Sequence, residues 1–129
     1  MIVLDTHVWL FWVNDDRELI SKKALTAINR AESLGVSVIS CWEIAMLVVK
    51  RRLAFNMDVQ DWVNQASKYP GIRLIGLDAE VAVLSTRLPG NFHGDPADRM
   101  IVATCMKHNV PLISKDKMIR SWGQIKVIW

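Results

Sequence analysis

Cysteine is nearly absent: Cys41 and Cys105 are the only two in 129 residues. Both sit among apolar neighbours, with no C-x-x-C spacing. That excludes a disulfide framework or a cysteine-based zinc site, and two buried thiols in a reducing cytoplasm are expected. Long apolar runs are missing too. The longest, Val8–Val13 and Ile44–Val49, have six residues each, whereas a membrane span needs about 20. The N-terminus, Met1-Ile2-Val3-Leu4-Asp5, has no basic stretch ahead of an apolar one, so it does not read as a secretory signal. Proline and glycine are scarce and scattered, at four and six. No Ser/Gly/Pro-rich linker, repeat or low-complexity tract interrupts the chain.

Nor is there a large excess of one charge. Lys and Arg number 16 and Asp and Glu 13, giving +3. This balance excludes a polycationic tail and an acidic disordered segment, but not a nucleic-acid surface, because net charge says nothing of where charges lie. The excess sits in the second half, where 9 basic residues face 5 acids across 65–129.

What is present is apolar: 51% of the chain. That suffices for the core of one globular domain spanning residues 1–129. Six tryptophans are many for this length. They are expected in the core or on a partner surface rather than as a nucleic-acid stacking platform.

The apolar pattern predicts strands at 1–4, 36–40, 72–75, 110–114 and 125–128. Helices are predicted over 8–13, from a Ser21 cap to a closing Gly35, and over 41–52, 58–68, 78–88 and 97–107. Strands and helices alternate, and the strands are short and wholly apolar. This predicts an α/β fold of three layers, α/β/α, around a mainly parallel sheet of four to five strands. In such sheets ligands bind beyond the carboxyl ends of the strands.

Carboxylates collect at those ends. Asp5 ends the first strand, Glu43 lies three residues past the second, and Asp116 two residues past the fourth. Asp98 opens the helix before the fourth strand, whose N-terminus can face the same edge. Each acid has a local explanation. Ser40 to Glu43 has the pattern of a capping box. Asp95 suits an N-cap ahead of Pro96, and Asp98 the first helical turn. Asp116 can cap a last helix, and Asp5 can simply end a strand. Together, however, four acids at one edge repel, and a hard divalent cation, Mg2+ or Mn2+, is the usual compensation. Such sites typically do phosphoryl chemistry.

Four stretches carry a resemblance: 2–7 (IVLDTH), 38–45 (VISCWEIA), 93–104 (HGDPADRMIVAT) and 111–116 (PLISKD). In this order and at these separations the chain resembles PIN-domain ribonucleases of the VapC toxin type, over nearly its whole length. The resemblance implies a PIN-like fold and an endoribonuclease that cuts single-stranded regions of RNA with Mg2+ or Mn2+. It implies that Asp5, Glu43, Asp98 and Asp116 are the catalytic, metal-binding acids, with Thr6, Asp95 and Ser114 in support. It further implies a toxin held by a small cognate antitoxin, and a homodimer.

Lys115, Lys117 and Arg120 flank Asp116 and are RNA-backbone candidates, because RNA approaching an acidic pocket needs cations nearby. Lys50-Arg51-Arg52 reads as a solvated helix end, and His108 as a helix C-terminal residue. His7 and His93 are open between local bonding and substrate contact, as is Arg99 between an acid and a phosphate. Trp9, Trp12, Trp42 and Trp62 offer either core or a groove for a partner helix. Two other functions fit the same acids. A receiver-like signalling domain would bind Mg2+ and take phosphate on Asp, but asks for adjacent acids after the first strand and an acceptor at the end of the third; Asp78 lies three residues past Ile75. A non-catalytic interaction domain would use its acids only as caps, and would not be stabilised by Mn2+.

Overall fold

The computed structural model describes all 129 residues. In chain order the elements are β1 (Ile2–Leu4), α1 (Thr6–Val13), a single 3-10 turn (Arg17–Leu19) and α2 (Lys22–Arg30). There follow β2 (Leu34–Ser37), α3 (Val38–Val49), α4 (Val59–Ser67), β3 (Ile72–Ile75) and α5 (Ala79–Thr86). The chain closes with α6 (Pro96–His108), β4 (Leu112–Ile113), α7 (Lys117–Trp122) and β5 (Val127–Ile128). The strands form one sheet in the order β3-β2-β1-β4-β5, every pair parallel.

Strand side chains alternate between two cores, as a period of two requires. Ile2, Leu4, Leu34, Val36 and Ile113 face a core completed by Trp9, Ile28, Ile44 and Trp62 from α1 to α4. Val3 and Leu112 face the other, completed by Val81 of α5, Ile101 and Val102 of α6 and Ile119 of α7. Both faces are therefore covered over the centre of the sheet, which explains the apolar runs of β1 and β4, whereas the edge strand β3 carries Arg73 and leaves Leu74 exposed. The predicted three-layer parallel architecture is the one observed.

Several element boundaries differ from expectation, each for a local reason; β4 and β5 are also shorter than the expected 110–114 and 125–128. Residues 36–40 are β-branched and alternate, yet the strand stops at Ser37, whose hydroxyl accepts the Ile39 N–H at 3.3 Å and caps α3. The helix thus starts three residues before the position expected at Cys41. Gly35 does not close α2; Arg30 ends it, and Gly35 lies inside β2. A Cβ there would come 2.7 Å from Ile75 Cδ1 and 3.1 Å from Met1 Sδ. The glycine serves close strand packing rather than a helix end. Similarly, α1 begins at Thr6 rather than Val8, because Asp5 accepts the Thr6 N–H.

Of the tryptophans, Trp9 and Trp62 are core, packed edge to face at 5.2 Å. Trp42 stands 54% exposed on α3. Cys105 is buried and Cys41 half-buried, both as free thiols.

Candidate metal centre

The strand order decides where a site can form. β2 and β3 lie on one side of β1, and β4 and β5 on the other. Chain leaving β1 and chain leaving β4 therefore part, opening a crevice beyond their carboxyl ends. Asp5 follows β1 directly, and Ser114 and Asp116 follow β4. α3 enters from β2, and α6 runs back toward β4, which puts its N-terminus at the same edge.

Three carboxylates meet there. One oxygen each from Asp5, Glu43 and Asp98 lie within 4.8 Å of one another. They line a cleft of about 620 Å3 together with His7, Val8, Asp95, Lys115, Asp116 and Lys117. Asp5 and Glu43 are held by hydroxyl or amide donors. Ser114 Oγ donates to Asp5 Oδ2 at 2.6 Å, and the Thr6 amide to Asp5 Oδ1 at 2.8 Å. Thr6 Oγ1 donates to Glu43 Oε1 at 2.5 Å and is bonded to Ser40 Oγ at 2.8 Å. The Ser114 hydroxyl also accepts the Asp116 N–H at 3.1 Å.

Burial and crowding push all three acids upward. Desolvation is the largest cause for each. Asp98 is pushed up to about 8, with Asp5, Asp95, Glu43 and Asp116 adding repulsion. Glu43 is raised against the lowering effect of its Thr6 bond. Asp5 is raised despite its bonds from Ser114 and Thr6. No lysine or arginine makes an ion pair with any of these acids. Oxygen-only donors, uncompensated negative charge and partial burial together suit a hard divalent cation.

The cap readings hold for Asp95 and Asp116 and fail for Glu43, while Asp5, expected only to end a strand, also caps a helix. Asp5, Asp95 and Asp116 cap α1, α6 and α7, Asp95 by accepting the Asp98 N–H at 3.0 Å. Three helix N-termini thus face the cleft, and their dipoles partly offset the crowded charge. Glu43 is no capping-box partner. Because α3 starts at Val38, Glu43 lies in its second turn and is free to reach Thr6. Ser40 is accordingly a buried helix residue on the Thr6 hydroxyl, a role its sequence pattern hid.

The chain matches the PIN domain over residues 2–123. It is 36% identical to ribonuclease VapC22 of Mycobacterium tuberculosis over 120 residues, which is 93% of this chain and 90% of that one. The chain belongs to the PIN domain family. Its fold is shared with a toxin–antitoxin complex from Klebsiella pneumoniae, at TM-score 0.66, 19% identity and coverage of 100% and 97%. It is shared equally with VapBC2 from Rickettsia felis bound to promoter DNA, at TM-score 0.68, 14% identity and coverage of 98% and 97%.

Within this PIN domain the remaining polar residues sort by contact. Asp116 lines the cleft but stands outside the three-carboxylate cluster, and Asp95 does likewise. Lys115 and Lys117 reach the cleft; Arg120 does not, and its guanidinium donates to the Lys115 carbonyl at 3.4 Å. Asp78, the acid a receiver-like domain would need, caps α5 and pairs with Lys107 away from the cleft. His108 closes α6, and Lys50 to Arg52 are exposed beyond α3, as expected.

Arg99 binds neither an acid nor an open phosphate site. Its Nε donates to the Ser85 carbonyl at 2.8 Å, and its Nη1 to the Phe92 and His93 carbonyls at 3.1 and 3.0 Å. It ties α6 to α5 and to the loop ahead of Asp95. That loop places His93, whose Nε2 lies 3.3 Å from Asp98 Oδ2 while its Nδ1 accepts the Asp95 N–H at 3.3 Å. Arg99→Ala is expected to cost about 2–4 kcal/mol, because three carbonyls lose a charged donor. Arg99→Lys rescues little, since one ammonium lacks the fork that spans them. The shift of the urea midpoint at unchanged m-value measures both.

Proposed function

We propose that this PIN domain, residues 1–129, is a metal-dependent endoribonuclease that cuts single-stranded regions of RNA. The observation that carries the reading is the convergence of Asp5, Glu43 and Asp98 on one half-buried cleft, with no lysine or arginine ion-paired to any of them. The 36% identical relative bears the name ribonuclease. These three acids would hold Mg2+ or Mn2+, with Asp116 as the fourth metal-binding acid. When bound, such an ion activates water and stabilises the leaving oxygen.

The protein's own groups supply the rest. Thr6 and Ser114 fix the carboxylates of Glu43 and Asp5, so little reorganisation is needed on binding. Asp95 acts in support, by fixing the start of α6 and thereby Asp98. Lys115 and Lys117 bring positive charge to the rim, where an RNA backbone must approach an acidic floor. Setting aside the four acids, the rest of the chain carries +7. The cap-only reading leaves the cluster unexplained: Glu43 and Asp98 cap nothing, yet they and Asp5 are raised by burial and mutual repulsion.

The same proposal makes the protein a toxin with a cognate antitoxin, acting in the cytoplasm as a homodimer. Support comes from the relative's name and from fold neighbours solved as toxin–antitoxin complexes. The exposed apolar residues Val38, Trp42 and Val49 along α3 offer a partner surface. No helix is long and apolar enough to cross a membrane.

The test is direct. A labelled single-stranded RNA incubated with the protein and Mn2+ is expected to be cut internally. EDTA should stop cleavage and added Mn2+ restore it. Cleavage indifferent to chelation, or none with either Mn2+ or Mg2+, defeats the proposal.

A further inference from the structure

Beside the acidic cleft lies a second depression, of about 430 Å3, lined by Lys23, Lys117, Arg120, Ser121, Val127 and Trp129. Its lining has three cationic side chains and no acidic one. Lys23 comes from α2, Lys117 and Arg120 from one face of α7, and Trp129 follows β5. None of the three cations takes part in an ion pair. Trp129 packs against the core of the α1–α4 face while still lining the depression, so its indole is anchored.

Lys117 lines both cavities. It follows Asp116, the cap of α7, and Arg120 lies one turn further on the same side. The acidic cleft and the basic depression therefore adjoin at a single residue. A ligand leaving the carboxylate cluster on this side passes Lys117 and meets Lys23, Arg120 and the indole.

We infer that this depression is a nucleotide subsite for the RNA strand next to the cut position: the three cations take backbone phosphate, and Trp129 stacks a base. The inference rests on the endoribonuclease reading above, and adds Lys23 and Trp129 to the RNA contacts. Its chemistry is specific. Cations alone suit any polyanion, but cations around an anchored aromatic ring suit single-stranded nucleic acid, whose bases present π-faces between charged phosphates. The volume is that of an ordinary ligand cleft, roughly 300–1,000 Å3. The arrangement also gives a reason for Arg120 to face away from the acids, since its phosphate lies outside the cut site.

The experiment separates binding from cleavage. A fluorescein-labelled octanucleotide RNA is titrated with the full chain in EDTA, from 50 to 200 mM salt, and followed by anisotropy. Lys23→Ala is expected to weaken binding several-fold and to reduce the log–log salt slope by about 0.7, one single-strand phosphate. Trp129→Ala is expected to weaken it by about 5-fold or more at unchanged slope, and Trp129→Phe to recover most of the loss. With Mn2+ present, Lys23→Ala should raise KM for the octanucleotide and leave kcat as it is. Wild-type affinity and slope in both Lys23→Ala and Lys23→Glu would overturn the subsite, even where wild type cuts RNA normally. So would absence of RNA binding in EDTA, or equal binding of polyglutamate that Trp129→Ala leaves untouched, which marks an acidic-peptide site. Failure of the enzymatic reading appears separately, as wild-type protein that cuts no RNA with either metal.

Discussion

Asp5→Asn is expected to abolish metal-dependent RNA cleavage, by more than about 100-fold, and to leave the fold intact. Losing an outer-shell partner of a metal ligand typically costs 10–100-fold; losing a ligand at the centre of the cluster should cost more. Asp5 is the acid placed by the sheet itself, one residue past β1, and both of its oxygens are engaged, by Ser114 and by the Thr6 amide. Asn keeps an oxygen for the Thr6 amide but removes the charge. Stability is not expected to suffer, because a carboxylate raised by burial is being replaced by a neutral group. Two measurements decide it together. Cleavage should vanish, and the Mn2+-induced rise in melting temperature should shrink, while the melting temperature in EDTA stays within a few degrees of wild type. A folded Asp5→Asn protein with full activity would refute the assignment.

The metal-free protein is expected to lose stability as pH rises, the reverse of ordinary carboxylate behaviour. Asp98 moves from an unfolded value of 3.8 to about 8 in the fold, and Asp5 and Glu43 also move upward. Between those values the native state holds protons that the unfolded chain has released, so stability falls with pH. For Asp98 the contribution is complete below about pH 4, declines through the interval, and is gone above about pH 8. One such proton steepens the decline by at most about 1.4 kcal/mol per pH unit. Melting in EDTA from pH 5 to 8.5 should show the decline, and Asp98→Asn should flatten it. Stabilisation by Mn2+ should grow over the same range, because the ion binds the ionised acids. A wild-type melting temperature that stays level or rises with pH in EDTA would mean that burial and crowding do not hold the three acids protonated.

Much of this was legible in the residues. Short apolar runs separated by helical spacing specify parallel strands covered on both faces, because only a strand buried twice is apolar throughout. The sites of Asp95, Asp98 and Asp116 followed from helix-start chemistry, which is local and repeats in every fold. Where two local signals competed, the pattern misled. Val36 to Ser40 alternates like a strand and also suits a helix, and the Ser37 cap decided for the helix. Gly35 carries the same ambiguity, since a glycine marks either a helix end or a close strand approach.

The sequence by itself determined the α/β class and the placing of acids at strand and helix ends. Those properties rest on periodicity and on bonds between residues a few positions apart. Only the tertiary structure decided that Glu43 turns to Thr6 rather than to its own helix start, and that Asp98 rather than Asp95 puts an oxygen beside Asp5 and Glu43. It alone showed that Arg99 braces a loop, and that Lys23 and Trp129 stand beside Lys117 and Arg120. The reason is topological. The β3-β2-β1-β4-β5 order brings chain from both ends of the sequence to one edge, and no spacing within a single segment records which distant partner will be waiting there.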